Sequence, residues 1–333
     1  MFNHINEGID KWDDSTLVVE LMMLLLNLTL FIVGILFIVI GGNKVTDAGI
    51  EIGAKLKLTG VAVGAIFMAL ITAMPETFIS GYAALLKNSD VAFGNLIGSN
   101  IHNIPLTIGI ATFFTALTFE KFASRISLIM LLSILFAFLL LSDGQATPLK
   151  GFILISGYIM YIIFVIKHER NNNHKLTQKT NKSLKVLSLT FIGSGFILLL
   201  GSYLIVTSSL KIAELLGISN ILIGLTIVAF GSIIPEFSVS LIAAIKKHDS
   251  VCVCNLLGDN IMTILVVLGI VSILNPFSIN MKEMLLTFIP MFILTFLLFL
   301  VTLKKDRKIT RIHGVIFIVV YILILTLQTI FLG

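Results

Sequence analysis

Three acidic side chains of this chain lie inside long apolar stretches: Glu76, Glu236 and Asp259. No lysine or arginine accompanies them there. A bare carboxylate at the centre of a bilayer costs at least about 2.5 to 3.5 kcal/mol, so it must be protonated, face water or bind a cation. Three such groups together point to a cation site. Residues four apart share one face of a helix, and the faces here are polar: Thr72, Glu76 and Ser80; Ser232, Glu236 and Ser240; Ser99 with Asn103; Asp259 with Thr263. All of them carry oxygen donors. Hard cations such as Ca²⁺ take six to eight oxygen ligands, whereas soft metals favour thiolate and imidazole. Backbone oxygens join the set, because Pro75 and Pro235 each lack an N–H and clash with the preceding turn, freeing the carbonyls of Ile71 and Gly231.

The elements that must position these groups come in two copies. Seventeen of the fifty residues from Val61 to Ile110 recur, without a gap, 160 positions later between Ile221 and Ile270. Gly64, Pro75, Glu76, Ser80, Asn95, Gly98 and Asn100 meet Gly224, Pro235, Glu236, Ser240, Asn255, Gly258 and Asn260. The chain of 333 residues is 57% hydrophobic and 12% charged, with a mean hydropathy of +1.06, far from the roughly 25% charged residues of a soluble domain. It belongs in a membrane. Apolar runs long enough to cross begin near Glu20, Val61, Val91, Ala123, Lys150, Val186, Ile221, Val251, Met284 and Ile312, which predicts an all-α, polytopic protein of ten transmembrane helices.

Positive residues are retained on the cytoplasmic side. With the N-terminus outside, the inward loops hold 18 of the 23 lysines and arginines. Both termini are then extracytoplasmic, and the pI near 9.1 reflects retention rather than nucleic-acid binding. Five helices per half is an odd number, so the second copy enters from the opposite face and the repeats are inverted, an architecture of secondary transporters with sites at the repeat interface. The organisation read from the sequence is a polar N-terminus (1–18), a first repeat (19–167), a cytoplasmic linker (168–185) and a second repeat (186–333). The linker, rich in Asn and Lys, reads as a solvated loop. No cleavable leader is visible in the polar, acidic opening segment.

Weaker signals read as structure. His102 reads as a packed histidine, and Cys252 with Cys254 as small packing residues of one helix. Pro105 has no counterpart in the second copy and reads as a local kink. Neither an H-E-x-x-H pair nor a G-x-x-x-x-G-K-[ST] loop is present, so no hydrolytic or nucleotide-driven engine is visible and the energy must come from an ion gradient. No cofactor is implied beyond transported ions, and the expected partners are those ions and the lipid bilayer, with no protein partner.

The stretch from Thr72 to Glu76, followed by Gly94 to Asn100, and its copy from Ser232 to Glu236, followed by Cys254 to Asn260, resemble the two α-repeats of the sodium/calcium exchangers within the calcium/cation antiporter superfamily. The resemblance spans essentially the whole chain. It implies that Glu76 and Glu236 hold a central Ca²⁺ with Thr72 and Ser232, that the backbones of Ala69 and Ala229 adjoin monovalent sites, and that Ser99 and Asn103 complete the first half. It also implies alternating access, with Na⁺ and Ca²⁺ occupying the site in turn across the cell membrane. The pattern departs where sodium coupling is decided. Ala73 and Ile233 replace the serine that follows the threonine, Asp259 replaces the second G-S-N serine, and Thr263 stands where many relatives are acidic. Protons therefore remain open as coupling ions, since crowded carboxylates release them when a divalent ion arrives. Mn²⁺, Mg²⁺ or monovalent exchange, and cation binding without transport, remain open as well.

Overall fold

A computed structural model describes residues 14–170, 176, 180–215 and 233–332. It is a bundle of helices, as a chain without access to water demands: in lipid, each backbone polar group must be satisfied within its own segment. The helices are α1 (Asp14–Lys55), the broken α2 (Gly60–Thr72 and Met74–Leu85), α3 (89–114), α4 (Lys121–Leu140), α5 (Pro148–Arg170), α6 (Leu184–Leu215), α7 (Ile234–Ile245), α8 (Asp249–Leu274), α9 (Met281–Thr302) and α10 (Arg311–Leu332). Among the described residues, seven helices are long and apolar enough to cross a membrane, or eight when the two halves of α2 are taken together. The ten crossings expected from the sequence fall short at two places. The stretch from Val91 is diluted by Asn95, Ser99, Asn100, His102 and Asn103, and the first part of the stretch from Ile221 lies outside the described residues.

Burial sets the layers. The apolar window of α8 is 83% buried, against 11% for α1, so α8 runs through the centre and α1 lies on the outside. Helix α1 has 42 residues and extends about 63 Å at 1.5 Å per residue, twice the hydrocarbon core. It packs against the 32-residue α6 along a seam of small residues. A Cβ at Gly34 would lie 3.0 Å from Gly201 O, and one at Gly41 would lie 3.0 Å from Ser194 O, so the two backbones touch.

Helix α2 bends by 42°. Its break falls at Ala73 (φ −74°, ψ 0°), with Pro75 in the first turn of the second half; a ring without an N–H cannot continue the ladder. In the second copy Ile233 adopts nearly the same backbone (φ −94°, ψ 2°) immediately before α7. Helices α3 and α8 carry π-turns at matched places, Ile104–Gly109 and Thr263–Val267. Pro105 sits in the first of these, but the second forms without a proline, so the wide turn does not depend on it. Such turns cluster at functional sites.

Two short antiparallel ribbons close the bundle ends. Leu117–Thr118 pairs with Lys308–Ile309, and Gln145–Ala146 with Phe277–Ser278. The side chain of Asp249, at the start of α8, accepts from Thr118 N at 2.9 Å and Thr118 Oγ1 at 2.7 Å, tying α8 to the first ribbon.

In the described part of the linker, residues 181–185 are exposed, and the segment is tied to Leu58 and Glu51. Leu176 N–H donates to Leu58 O at 2.9 Å. Thr180 Oγ1 and Lys182 Nζ hold the two carboxylate oxygens of Glu51 at 2.6 and 2.9 Å. The polar composition of this segment concealed a specific carboxylate partner on the last turns of α1.

Candidate cation-binding site

The starts of two helices decide where the glutamates stand. Glu76 lies in the first turn of the second half of α2, and Glu236 in the first turn of α7, each at the positive end of a helix dipole. Both are essentially inaccessible, at 0% and 1% exposure, and their carboxyl groups face one another. Beyond the contact between the two carboxyl groups and each one's own backbone N–H, none of their four oxygens receives a hydrogen bond from the described residues. Buried oxygens without donors are costly, and acceptors left open in this way are the receptor for a cation or for protons.

Asp259, also buried, interacts electrostatically with both glutamates but is satisfied differently. Thr72 Oγ1 donates toward Asp259 Oδ1 at 3.3 Å, and Asn103 Nδ2 donates to Asp259 Oδ2 at 2.8 Å. Asn103 is in turn fixed by Thr107 Oγ1, which donates to its Oδ1 at 2.9 Å, and by donation to Asn260 Oδ1 at 3.0 Å. The Thr72 hydroxyl has two further acceptors in reach, Asn255 Oδ1 at 3.3 Å and Ala69 O at 3.5 Å. One proton thus serves three oxygens. The structure brings Thr72, Ala69, Asn103 and Asp259 together across the two halves of the chain, whereas spacing grouped Thr72 with Glu76, Asn103 with Ser99 and Asp259 with Thr263, and Ala69 entered through the family resemblance.

The remaining expected ligands divide. Thr263 Oγ1 is buried without a partner among the described residues, at the start of the α8 π-turn. Ser99 is buried on α3, where its hydroxyl donates to Leu96 O of its own helix at 3.0 Å, leaving the lone pairs of the oxygen open. Ser232 and Ala229 lie outside the described residues. Ser80 and Ser240, which share a stripe with the glutamates, act as braces: Asn95 Nδ2 donates to Ser80 Oγ, and Asn255 Nδ2 to Ser240 Oγ, both at 3.0 Å. The same bond in both copies clamps each glutamate-bearing half-helix to the helix that follows. Asn95 and Asn255 were visible only as matched repeat positions; their spacing of 15 residues from the serines follows no single-helix period.

Among the described residues, no three His, Cys, Asp or Glu side chains converge closely enough to hold a metal by themselves. A cation here must complete its shell with hydroxyl, amide and backbone oxygens, as hard cations do. His102 is packed: Nδ1 contacts Gly98 O, and its ring meets Tyr321 edge-on at 5.4 Å. Cys252 and Cys254 are buried along α8. An Asn103→Leu variant should destabilise the cation-free protein by about 1 to 3 kcal/mol, because Asp259 Oδ2 loses its donor. A thermal melt in detergent checks this, and Asp259→Asn in the same background should recover part of the loss.

Known proteins resemble this chain over most of its length. The family model for the sodium/calcium exchanger protein matches residues 26–167 and 186–330. An uncharacterized membrane protein of Methanocaldococcus jannaschii is 30% identical over 302 residues, covering 90% of this chain and 97% of its own. The sodium/calcium exchanger MaX1 of Methanosarcina acetivorans is 26% identical, covering 90% and 97%. Among solved structures, the sodium-calcium exchanger NCX_Mj soaked with Na⁺ and Sr²⁺ superimposes with a TM-score of 0.79 at 28% identity, over 91% of this chain and 98% of that one. This chain, a multi-pass membrane protein with one buried glutamate in the first turn of a helix in each of its two sequence copies, belongs to the sodium/calcium exchanger family.

Proposed function

We propose that the protein is a secondary cation antiporter of the cell membrane that exchanges Ca²⁺ for Na⁺ or H⁺ by alternating access. It has ten transmembrane helices in two inverted five-helix repeats (19–167 and 186–333), a cytoplasmic linker (168–185) and both termini extracytoplasmic. The observation that carries this reading is the glutamate pair: two buried carboxyl groups, one per repeat, with four oxygens that take no hydrogen bond from the described residues outside the pair. If they are ionised, only bound cations can offset their charge at this depth. The ligand set comprises Glu76, Glu236, Thr72 and Ser232 around the divalent ion, with Asn103, Asp259, Thr263, Ser99 and the backbones of Ala69 and Ala229 adjoining it.

Two features support the inversion. Helix α4 runs from the first ribbon to the second; α3 ends at the first, whereas its sequence counterpart α8 ends at the second. The counterparts therefore point in opposite directions. At the α1–α6 crossing, the Gly34–Gly201 and Gly41–Ser194 contacts exchange into each other when 160 is added to one residue and subtracted from the other, as a two-fold axis in the membrane plane requires.

The test is ⁴⁵Ca²⁺ uptake into proteoliposomes under an outward Na⁺ gradient or a proton gradient. Uptake driven by Na⁺ supports sodium coupling despite Ala73 and Ile233, and uptake driven by protons alone assigns coupling to H⁺. Absence of Ca²⁺ flux under both gradients overturns the calcium reading and directs the same assay to Mn²⁺, Mg²⁺ and monovalent exchange.

A further inference from the structure

A cavity of about 420 Å³ opens beside the helix break, between the end of α1, the first half of α2 and the start of α6. Its lining is almost wholly apolar, including Leu56, Phe67, Ile71, Met74, Phe191 and Phe196, with Ser188 as the one hydroxyl among the described lining residues. The volume and lining suit a hydrophobic ligand, and nothing in it would hold a cation. Its rim differs. Leu56 stands between Lys55 and Lys57, and Leu184, at the start of α6, is followed by Lys185; all three lysines are exposed. Glu51, the carboxylate nearest Lys55, is already held by Thr180 and Lys182. Lys57 and Lys185 have no acidic partner among the described residues.

An apolar slot whose lining residues Leu56 and Leu184 are flanked in sequence by exposed lysines fits an amphiphile with one apolar chain inside and a negative head outside. We propose that this cavity is a binding site for one acyl chain of an anionic phospholipid, whose headgroup is held by Lys55, Lys57 and Lys185. A zwitterionic headgroup would gain little from the lysines, and a free phosphate would gain nothing from the apolar walls. The bound chain would lie between α6 and the α2 break, touching Ile71 and Met74 on either side of Thr72 and Ala73. The proposal concerns lipid retention and stands whichever cation the protein carries.

Native mass spectrometry of the purified full chain, equilibrated with phosphatidylglycerol or phosphatidylcholine of identical chains, tests it. Each lysine near an anionic surface contributes about fivefold in binding. The wild type should therefore retain phosphatidylglycerol more than about tenfold over phosphatidylcholine, and the Lys55→Gln, Lys57→Gln, Lys185→Gln triple variant should bring the two to near parity. Ser188→Trp, which fills the slot, should lower retention of both lipids. Glycerol 1-phosphate, a head without a chain, should displace neither. Equal retention of the two lipids by the wild type, a preference unchanged in the triple variant, or displacement by glycerol 1-phosphate would overturn the proposal. Should the triple variant fail to fold, Lys57→Gln and Lys185→Gln taken singly carry the same test, each with a loss of about fivefold.

Discussion

Replacing either glutamate with glutamine, Glu76→Gln or Glu236→Gln, is expected to lower cation exchange by more than about a hundredfold while leaving the protein folded and at least as resistant to heat. The two effects have one cause. Each carboxyl group is buried without a donor among the described residues outside the pair, so its charge costs free energy until a cation arrives. The amide removes that cost and also removes the attraction that holds the ion; losing one partner of a buried charge pair costs about 3 to 5 kcal/mol, or more than two orders of magnitude in binding. Parallel flux and melting measurements on the same preparation check both halves. A variant that loses flux only because it unfolds would contradict the expectation. Glu236→Gln should match Glu76→Gln, because the two stand in the first turns of equivalent helices.

Gly258→Ala is the second large effect, and it acts through packing. A Cβ at Gly258 would lie 2.3 Å from Ala65 O and 2.7 Å from Ala65 Cα, contacts with backbone that no rotamer can relieve. Gly64 meets α8 in the same way, 2.5 Å from Val251 O. These two glycines bring α2 and α8 into backbone contact, and with them Thr72 into reach of Asn255 and Asp259. Separating the helices should cost about 3 kcal/mol or more and should weaken cation binding together with stability. Gly157→Ala is the matching control: its methyl would meet Leu265 and Phe136 at 3.8 Å, an ordinary contact, and alanine is the better helix former by about 1 kcal/mol. Melting in detergent should therefore fall by on the order of 5 °C for Gly258→Ala and change little for Gly157→Ala. Equal behaviour of the two variants would show that the α2–α8 contact does not determine stability.

Much of this site could be read from the sequence because a membrane penalises polar atoms. In a chain this apolar, a carboxylate inside a crossing has few roles, and Glu76, Glu236 and Asp259 identified themselves. A period-four stripe put Thr72 on the face of Glu76, and Pro75 marked the break in α2. What escaped the sequence depends on contacts between helices. The braces from Asn95 to Ser80 and from Asn255 to Ser240 join separate helices. Ser99 was grouped with Asn103 by spacing, yet its hydroxyl returns to Leu96 of its own helix, an alternative local bond always open to serine. The polar composition of the linker does not reveal that Glu51 receives Thr180 and Lys182. The π-turns of α3 and α8 have no sequence signal at all in the second copy, which lacks a proline there.

The central claim is that a cation occupies the space between the two glutamates. Anomalous diffraction from crystals soaked in Sr²⁺, a heavier stand-in for Ca²⁺, measures this directly. A single strong peak between Glu76 and Glu236, with oxygen ligands near the range of about 2.3 to 2.6 Å typical of Ca²⁺, absent from Glu76→Gln crystals, is the predicted result. A peak elsewhere in the molecule, with the glutamate pair unoccupied at saturating Sr²⁺, would contradict the account.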